Sequence, residues 1–559
     1  MSETLVWIDY VIITCTLLIS SGIGLYYRFS GGRQKTTEEF FVANRDMGVT
    51  TIAIGLMVSL LSAVSLLGVS SEIYMHGTHY VVIVLGYALA TPVIAYFYLP
   101  VFFNLGDTSA FQYLEKRFGV KTRLVASTIF LVQFLLYSGV VLYAPALALE
   151  ATTGLSTTIS VIIIGAVCTF YSTIGGMKAV LITDVFQGIL MIASVVIVIV
   201  TAVLDVGGIN KIWDIAVEGK RIDFNSTSFD PTVRHTWWNL IIGGFFIYLS
   251  LYGVNQIQVQ RVLTIRNLKR AKAAVWLSLP ITVILVCGIS FSGLALYSKY
   301  RNCDPRTAGA IASNDQLMPH YIMENLSKYP GIPGLFIAGI FSAGLSTVSA
   351  VQNSAAAIIL EDYVKPVFQA RQKTFTEDQS AYTSKFLAFL MGLVCLAVAL
   401  LAQQLGNLLQ AALTIFGVVG GPLLGVYTLG MFIESADEIS AILGLIASFS
   451  LSLWIGFGEP KPEIPKLPVD VSGCNVTMTD STNNRGSATD DDIFYLYRIS
   501  YMWYCALGFV CCLLIGLLTS LIINLLSERI NNERKTLNPD LFTPLIAARI
   551  RKRQEMRRY

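Results

Sequence analysis

Ser59-Leu-Leu-Ser62-Ala63-Val-Ser65-Leu-Leu-Gly68 sits in the middle of an apolar run, residues 48–74, that is long enough to cross a bilayer. Small hydroxylated residues and a glycine are poor choices for a plain lipid-facing helix. They suit either close helix packing through small side chains or a helix that unwinds at mid-membrane and frees its carbonyls. A second interruption follows about 190 residues later, where Gly243-Gly244 precedes Tyr252-Gly253-Val-Asn255-Gln256. Each opens a block of five apolar runs, the pattern of an inverted five-helix repeat with two broken helices. From pattern alone, packing and binding both remain open.

The rest of the chain supports a membrane setting. Of its 559 residues 54% are apolar and only 13% charged, about half the charge of a soluble protein. Thirteen spans are expected, at 5–27, 48–74, 79–103, 124–149, 157–175, 180–203, 237–259, 273–298, 331–360, 385–404, 405–432, 439–457 and 498–527. The first lacks a basic leader and reads as a retained span. The net charge of +3 gives no reason to expect a nucleic-acid partner.

Placing the N-terminus outside puts 27 of the 39 basic residues in cytoplasmic loops and the tail, 12 in outside loops and none inside a span, with the boundary residues Lys385 and Arg498 counted in the loops 361–385 and 458–498. The three N-x-[ST] sequons, at Asn225, Asn325 and Asn475, all fall in the loops assigned outside, where glycosylation occurs. Of nine cysteines most lie in apolar runs. Cys303 and Cys474 are in outside loops, whose redox setting permits a bridge.

In the ninth span Ser342, Ser346 and Ser349 share a helical face, with Thr347 beside them. Such hydroxyls either ligate a hard cation together with freed carbonyls or bond back to the preceding turn. Asp184 is a carboxylate near the start of the sixth span, suited to a pathway or to a helix cap. Asp9 and Glu72 lie near span ends and call for no special role. The four histidines have no metal-ligand spacing, and no phosphate loop, zinc motif or nucleophile elbow is present. No enzyme activity is expected.

Three stretches resemble the sodium/solute symporter family: Tyr171-Ser-Thr-Ile-Gly-Gly-Met-Lys-Ala-Val-Leu-Ile-Thr-Asp184-Val-Phe-Gln187, Tyr252-Gly-Val-Asn-Gln-Ile-Gln-Val-Gln-Arg261 and Gly339-Ile-Phe-Ser-Ala-Gly-Leu-Ser-Thr-Val-Ser349. Ser71-Glu-Ile-Tyr74, Val141-Leu-Tyr-Ala-Pro-Ala-Leu-Ala-Leu149 and Ile415-Phe-Gly-Val-Val-Gly-Gly-Pro-Leu-Leu-Gly425 are similar to the branch holding its multivitamin, monocarboxylate and iodide transporters. The resemblance implies an all-α polytopic protein with a LeuT-like core. One extra helix and its loop (1–47) precede the two repeats (48–236 and 237–438). Two further helices (439–527) and a basic cytoplasmic tail (528–559) follow.

It also implies a co-transported sodium ion held by the carbonyls of Val58, Leu61 and Ala343 and the hydroxyls of Ser346 and Thr347. A second sodium would use Asp184, Ser346 and Ser349, but Ala350 stands where members with that site carry another hydroxyl. Substrate would meet Leu60, Ser65, Tyr87, Tyr143, Tyr248, Tyr252, Thr414 and Phe416. With no Lys or Arg among these, helix N-termini, hydroxyls and sodium would have to meet an anion's charge. The expected activity is therefore plasma-membrane symport of a small organic anion, a vitamin or monocarboxylate, with sodium. Ser65 and Tyr87 depart from the iodide member's pattern. An inorganic-anion symporter and a sodium-gated sensor or channel are the alternatives. Oligomeric state is not read from the chain.

Overall fold

The structure is a computed structural model that describes residues 5–29, 42–106, 109–174, 177–372, 376–402, 407–474, 493–527 and 537–556. The sequon at Asn475, the turn at 403–406, and residues 528–536 and 557–559 of the tail lie outside the described residues. Among those described there is no β-strand, only an isolated bridge between Asp46 and Ile265.

Among the described residues ten helices are long and apolar enough to cross a membrane, and two bent pairs raise the number of spans to twelve. The remaining expected span is the shorter apolar helix Thr157–Ile174. Large apolar side chains such as Leu18, Leu204, Ile284, Leu401 and Leu518 stand exposed around the bundle. In lipid that exposure costs nothing, whereas every backbone polar group must be satisfied internally, which is why helices make up these spans. The ninth span, Ile332–Ala370, is central: 94% of its most apolar window is buried, against 22% for the first span.

Both bent pairs turn by 57°, and they are the second span, Val49–Leu60 with Ala63–His76, and the seventh, Trp237–Gly253 with Gln256–Val262. At the first break Leu61 and Ser62 are extended, which ends the helical ladder. At the second, Asn255 is extended and its side chain accepts the Ile257 N–H as a helix cap. The break therefore falls at Val254–Asn255, not at the glycine pair. Gly243 and Gly244 do the other job weighed for them. A Cβ on Gly244 would lie 2.9 Å from the Ile83 carbonyl oxygen, and one on Gly243 would meet the Met502 carbonyl. These glycines let the third and last spans approach the seventh backbone to backbone.

One sequence expectation is corrected here. The seventh span runs on to Val262, so Arg261, counted above with the loop, is a fully buried cation within the second half-helix. The positive-inside count could not separate it from its loop neighbours, because only a partner supplied by another helix makes its burial tolerable.

Helix Leu268–Tyr300 and helix Glu438–Phe457 are followed by loops joined by a Cys303–Cys474 disulfide, with Cα atoms 5.0 Å apart. The linked loop also reaches the end of the second span, where Leu467 N–H donates to the Met75 carbonyl at 3.0 Å. This is called the disulfide face below. At the opposite end of the eleventh span, Leu408–Phe432, the Thr543 N–H donates to Met431 and Arg553 pairs with Glu434. The C-terminal helix Pro544–Met556 starts there.

Candidate ion and substrate site

A helix leaves its last four carbonyls and first four amides without helical partners. The break in the second span exposes both kinds of group at one point. Ser65 and Leu66 donate to the Ser62 carbonyl, which leaves the Ala63 and Val64 amides ahead of the first helical bond. The last carbonyls of Val49–Leu60, those of Val58 and Leu60 among them, end on the other side of the break.

The two breaks lie against each other. Tyr252 Oη donates to the Leu56 carbonyl at 2.8 Å, and Gln258 Nε2 donates to Ser59 Oγ at 3.1 Å. Around them are two small cavities. The larger, ≈ 50 Å³, is lined by Leu60, Leu61, Ser62, Ser65, Tyr80 and Tyr87, with an apolar wall that includes Leu409, Leu413 and Phe416. The smaller, ≈ 20 Å³, is lined by Ser59, Asn255, Gln258, Thr347 and Ala350. Tyr137, Leu251 and Phe416 line both. Neither lining includes a charged side chain, and at a few tens of Å³ the space holds only a few waters.

The hydroxyls of the ninth span divide three ways. Thr347 lines the smaller cavity, and its Oγ1 donates to the Ala343 carbonyl at 3.2 Å. Ser346 Oγ instead donates to Asp184 Oδ1. Ser349 bonds back to the Ser346 carbonyl at 2.9 Å, so that it takes, as Thr347 does, the local alternative weighed above, but without lining a cavity. Asp184 is also paired with Arg261, whose Nη1 is 2.9 Å from Oδ2 and donates to the Gly55 carbonyl. An ion-paired carboxylate and guanidinium, both fully buried, thus join the second, sixth, seventh and ninth spans. Val58 is fully buried, its methyl facing Gly188 of the sixth span.

Of the eight positions matched to substrate, Leu60, Ser65, Tyr87 and Phe416 line the larger cavity. Tyr248 lies behind that wall, stacked between Tyr87 and Tyr252 at 4.7 and 4.2 Å between ring centres. Tyr252 is held by its bond to Leu56. Thr414 turns its methyl towards Gly456, and Tyr143 lines neither cavity.

Sequence reasoning missed Tyr137. Its Oη donates to Ser62 Oγ at 3.3 Å and its ring lies 4.4 Å from that of Phe416. It also missed Glu72, which is fully buried and accepts two bonds from Arg234, at 2.6 and 2.9 Å. The only signal was a polar group on an apolar span for Tyr137 and a carboxylate near a span end for Glu72.

The model of the Sodium:solute symporter family matches residues 40–448. A Drosophila melanogaster protein named for sodium-dependent multivitamin transport is 48% identical, over 98% of this chain and 92% of its own length. Sodium-coupled monocarboxylate transporter 1 of Mus musculus is 42% identical, over 92% and 87% respectively. Among solved structures, a Na+-coupled sialic acid symporter in a substrate-bound outward-open state superposes with a TM-score of 0.76 at 23% identity, covering 92% of this chain and 98% of that one. That likeness establishes the fold, a LeuT-like core with broken second and seventh spans. Sodium is the co-transported ion, and 409 consecutive residues of the chain fall within the family's match. The protein belongs to the sodium:solute symporter family.

Proposed function

We propose that this symporter carries a small organic anion, a short monocarboxylate or a vitamin with a carboxylate, across the plasma membrane by alternating access. The observation that carries this reading is the pair of cavities at the break in the second span, which share the lining residues Tyr137, Leu251 and Phe416.

Sodium belongs to the smaller cavity. Thr347 lines that cavity and supplies a hydroxyl, and the carbonyls matched by family likeness, those of Val58, Leu61 and Ala343, would complete the set from beside it, with Leu61 lining the larger cavity and Ala343 accepting the Thr347 hydroxyl. Hard oxygens without a formal charge suit a monovalent cation that must also leave. Ser346, bonded to Asp184, is the outlying member of the set. Asp184 itself is engaged by Arg261, so a single sodium is the simplest stoichiometry for this arrangement.

Substrate belongs to the larger cavity. Its carboxylate is met by the start of helix Ala63–His76, whose free amides and dipole favour negative charge. Ser62, Ser65 and the Tyr137 hydroxyl complete the polar end, and Phe416 with the leucines covers the hydrocarbon part. The bound sodium supplies the remaining positive charge, and this is the physical basis of coupling: each ligand raises the affinity of the other by the same factor. No covalent step is involved.

The disulfide face is assigned to the outside, where an oxidising setting keeps Cys303 and Cys474 paired. Asn225 is exposed on that side and suits glycosylation, while the Asn325 amide is bonded to the Tyr321 carbonyl of its own helix. The C-terminal helix then faces the cytoplasm.

The test is uptake of labelled biotin, pantothenate, lactate and iodide by cells producing the protein, with sodium or choline in the medium. Accumulation of one of the organic acids only in sodium is expected. Iodide as the sole accumulated species, or accumulation indifferent to sodium, would overturn the proposal.

A further inference from the structure

We infer that Arg234 is the positioning residue that holds the substrate cavity shut on the disulfide face, an inference that rests on the proposed admission of substrate from that side. Arg234 lies in the loop before the seventh span. Its guanidinium makes a fork, two arms of which end on the second span and one on the eleventh. Nε and Nη2 donate to the two oxygens of Glu72 at 2.6 and 2.9 Å, and Nη1 donates to Gln410 Oε1 at 2.9 Å. The guanidinium carbon sits 5.0 Å from the centre of the Tyr501 ring, at the start of the last span.

Sequence position places the fork directly over the cavity. Ser65 and Val69 line it, and Glu72 comes next on the same face of helix Ala63–His76. Leu409, Ala412 and Leu413 line it from the eleventh span, and Gln410 sits beside Leu409. Tyr80 lines it as well, and its ring is 5.6 Å from that of His235, the next residue after Arg234. His235 is neutral, since burial pushes it down to about 3, so the Glu72 charge is left to Arg234. Burial also works against the Arg234 charge, but the Glu72 carboxylate outweighs it and holds the guanidinium above its ordinary range.

The cavity has room for only a few waters, so loading requires Ala63–His76 and Leu408–Phe432 to part. They cannot part while one guanidinium holds Glu72 and Gln410 together. A bidentate, largely buried Arg–carboxylate pair with one further bond is a firm closure that is nevertheless reversible, because water solvates both ions once the mouth opens. The neutral Gln410 arm is the weaker of the two, so it is the arm that gives way first.

The experiment uses the full-length protein in cells, with Ala412→Cys as a reporter in the cavity wall and labelling of the parent lacking that substitution subtracted. A membrane-impermeant methanethiosulfonate is applied from outside. Adding Arg234→Gln is expected to speed labelling about tenfold by shifting the population towards the open mouth. It should also lower both the sodium concentration for half-maximal uptake and the maximal rate, a split that a general folding defect does not produce. Gln410→Ala, which removes one arm and leaves the ion pair, should speed labelling by a smaller factor. Unchanged labelling in Arg234→Gln at normal surface abundance overturns the inference. If that variant does not reach the surface, Gln410→Ala decides in the same way. Because labelling needs no substrate, its outcome is independent of which anion is carried.

Discussion

Arg261 Nη1 stands 2.9 Å from Asp184 Oδ2, and neither side chain reaches solvent. Two charges this deep are tolerable only because each is the other's partner and each has one further bond, Asp184 from Ser346 and Arg261 to Gly55. The pair is a cross-brace between the two broken spans and the two helices behind them. Removing either charge strands the other, at a cost of about 3–5 kcal/mol. Asp184→Asn and Arg261→Gln should therefore each lower the melting temperature of the detergent-solubilised protein sharply, while the double variant lies closer to the parent than either single. Simple additivity of the two losses would show that the charges do not depend on one another.

Thr347 and Ser349 are two residues apart on one helix, yet only Thr347 lines the smaller cavity. If sodium sits there, Thr347→Ala should raise the sodium concentration for half-maximal uptake about tenfold, since one hydroxyl to a charged partner is worth about 1.5–3 kcal/mol. Ser349→Ala removes only a bond back to its own helix and should leave that concentration within about twofold. Equal effects of the two substitutions would place the ion elsewhere on the ninth span.

Asp315, on the disulfide face, accepts the Leu408 N–H at 3.3 Å where the eleventh span begins. Burial pushes its carboxyl up from the ordinary 3.8 to about 6. A carboxyl whose folded value is raised favours the fold when protonated, and that contribution is fully present below pH 3.8 and lost as the pH climbs through 6. At pH 7.5 the buried charge costs on the order of 3 kcal/mol relative to acid. Asp315→Asn keeps an oxygen for Leu408 and removes the charge, so it should melt higher than the parent at pH 7.5, with the gain shrinking through pH 6 and vanishing near pH 4. A gain constant across that range would mean that another group titrates.

How far the fold was legible follows from what each residue depends on. Spans were readable because hydrophobic length is a local property, and the break at Leu61–Ser62 because small polar residues inside such a run have few uses. In the second interrupted stretch the break falls at Val254–Asn255, while Gly243-Gly244 serve packing, since glycine serves close packing as readily as unwinding, and the choice lay with Ile83 and Met502 on other helices. Arg261 looked like a loop cation for the same reason: its partner is 77 positions away in the chain. Of the residues drawn from family likeness, the four that line the larger cavity lie at or opposite the break. Tyr248 and Tyr252 stand one layer back, where an aromatic stack supports Tyr87. A tyrosine on an apolar span gives no sign of which layer it will occupy, and Tyr137 was passed over on that account.

Tyr137 is the residue on which coupling turns if the two cavities hold the two ligands, because it touches both. Its hydroxyl bonds Ser62 on the substrate side, while its ring packs on Phe416 and closes the wall towards Thr347. The two contacts separate by substitution. Tyr137→Phe keeps the ring and loses the hydroxyl, so the half-saturating substrate concentration should rise about threefold to tenfold with little change for sodium. Tyr137→Ala opens the wall, and sodium should then pass without substrate, measured as a substrate-independent inward current in voltage-clamped oocytes. A tight, current-free Tyr137→Ala transporter would mean that Leu251 and Phe416 alone keep the ion and the anion apart.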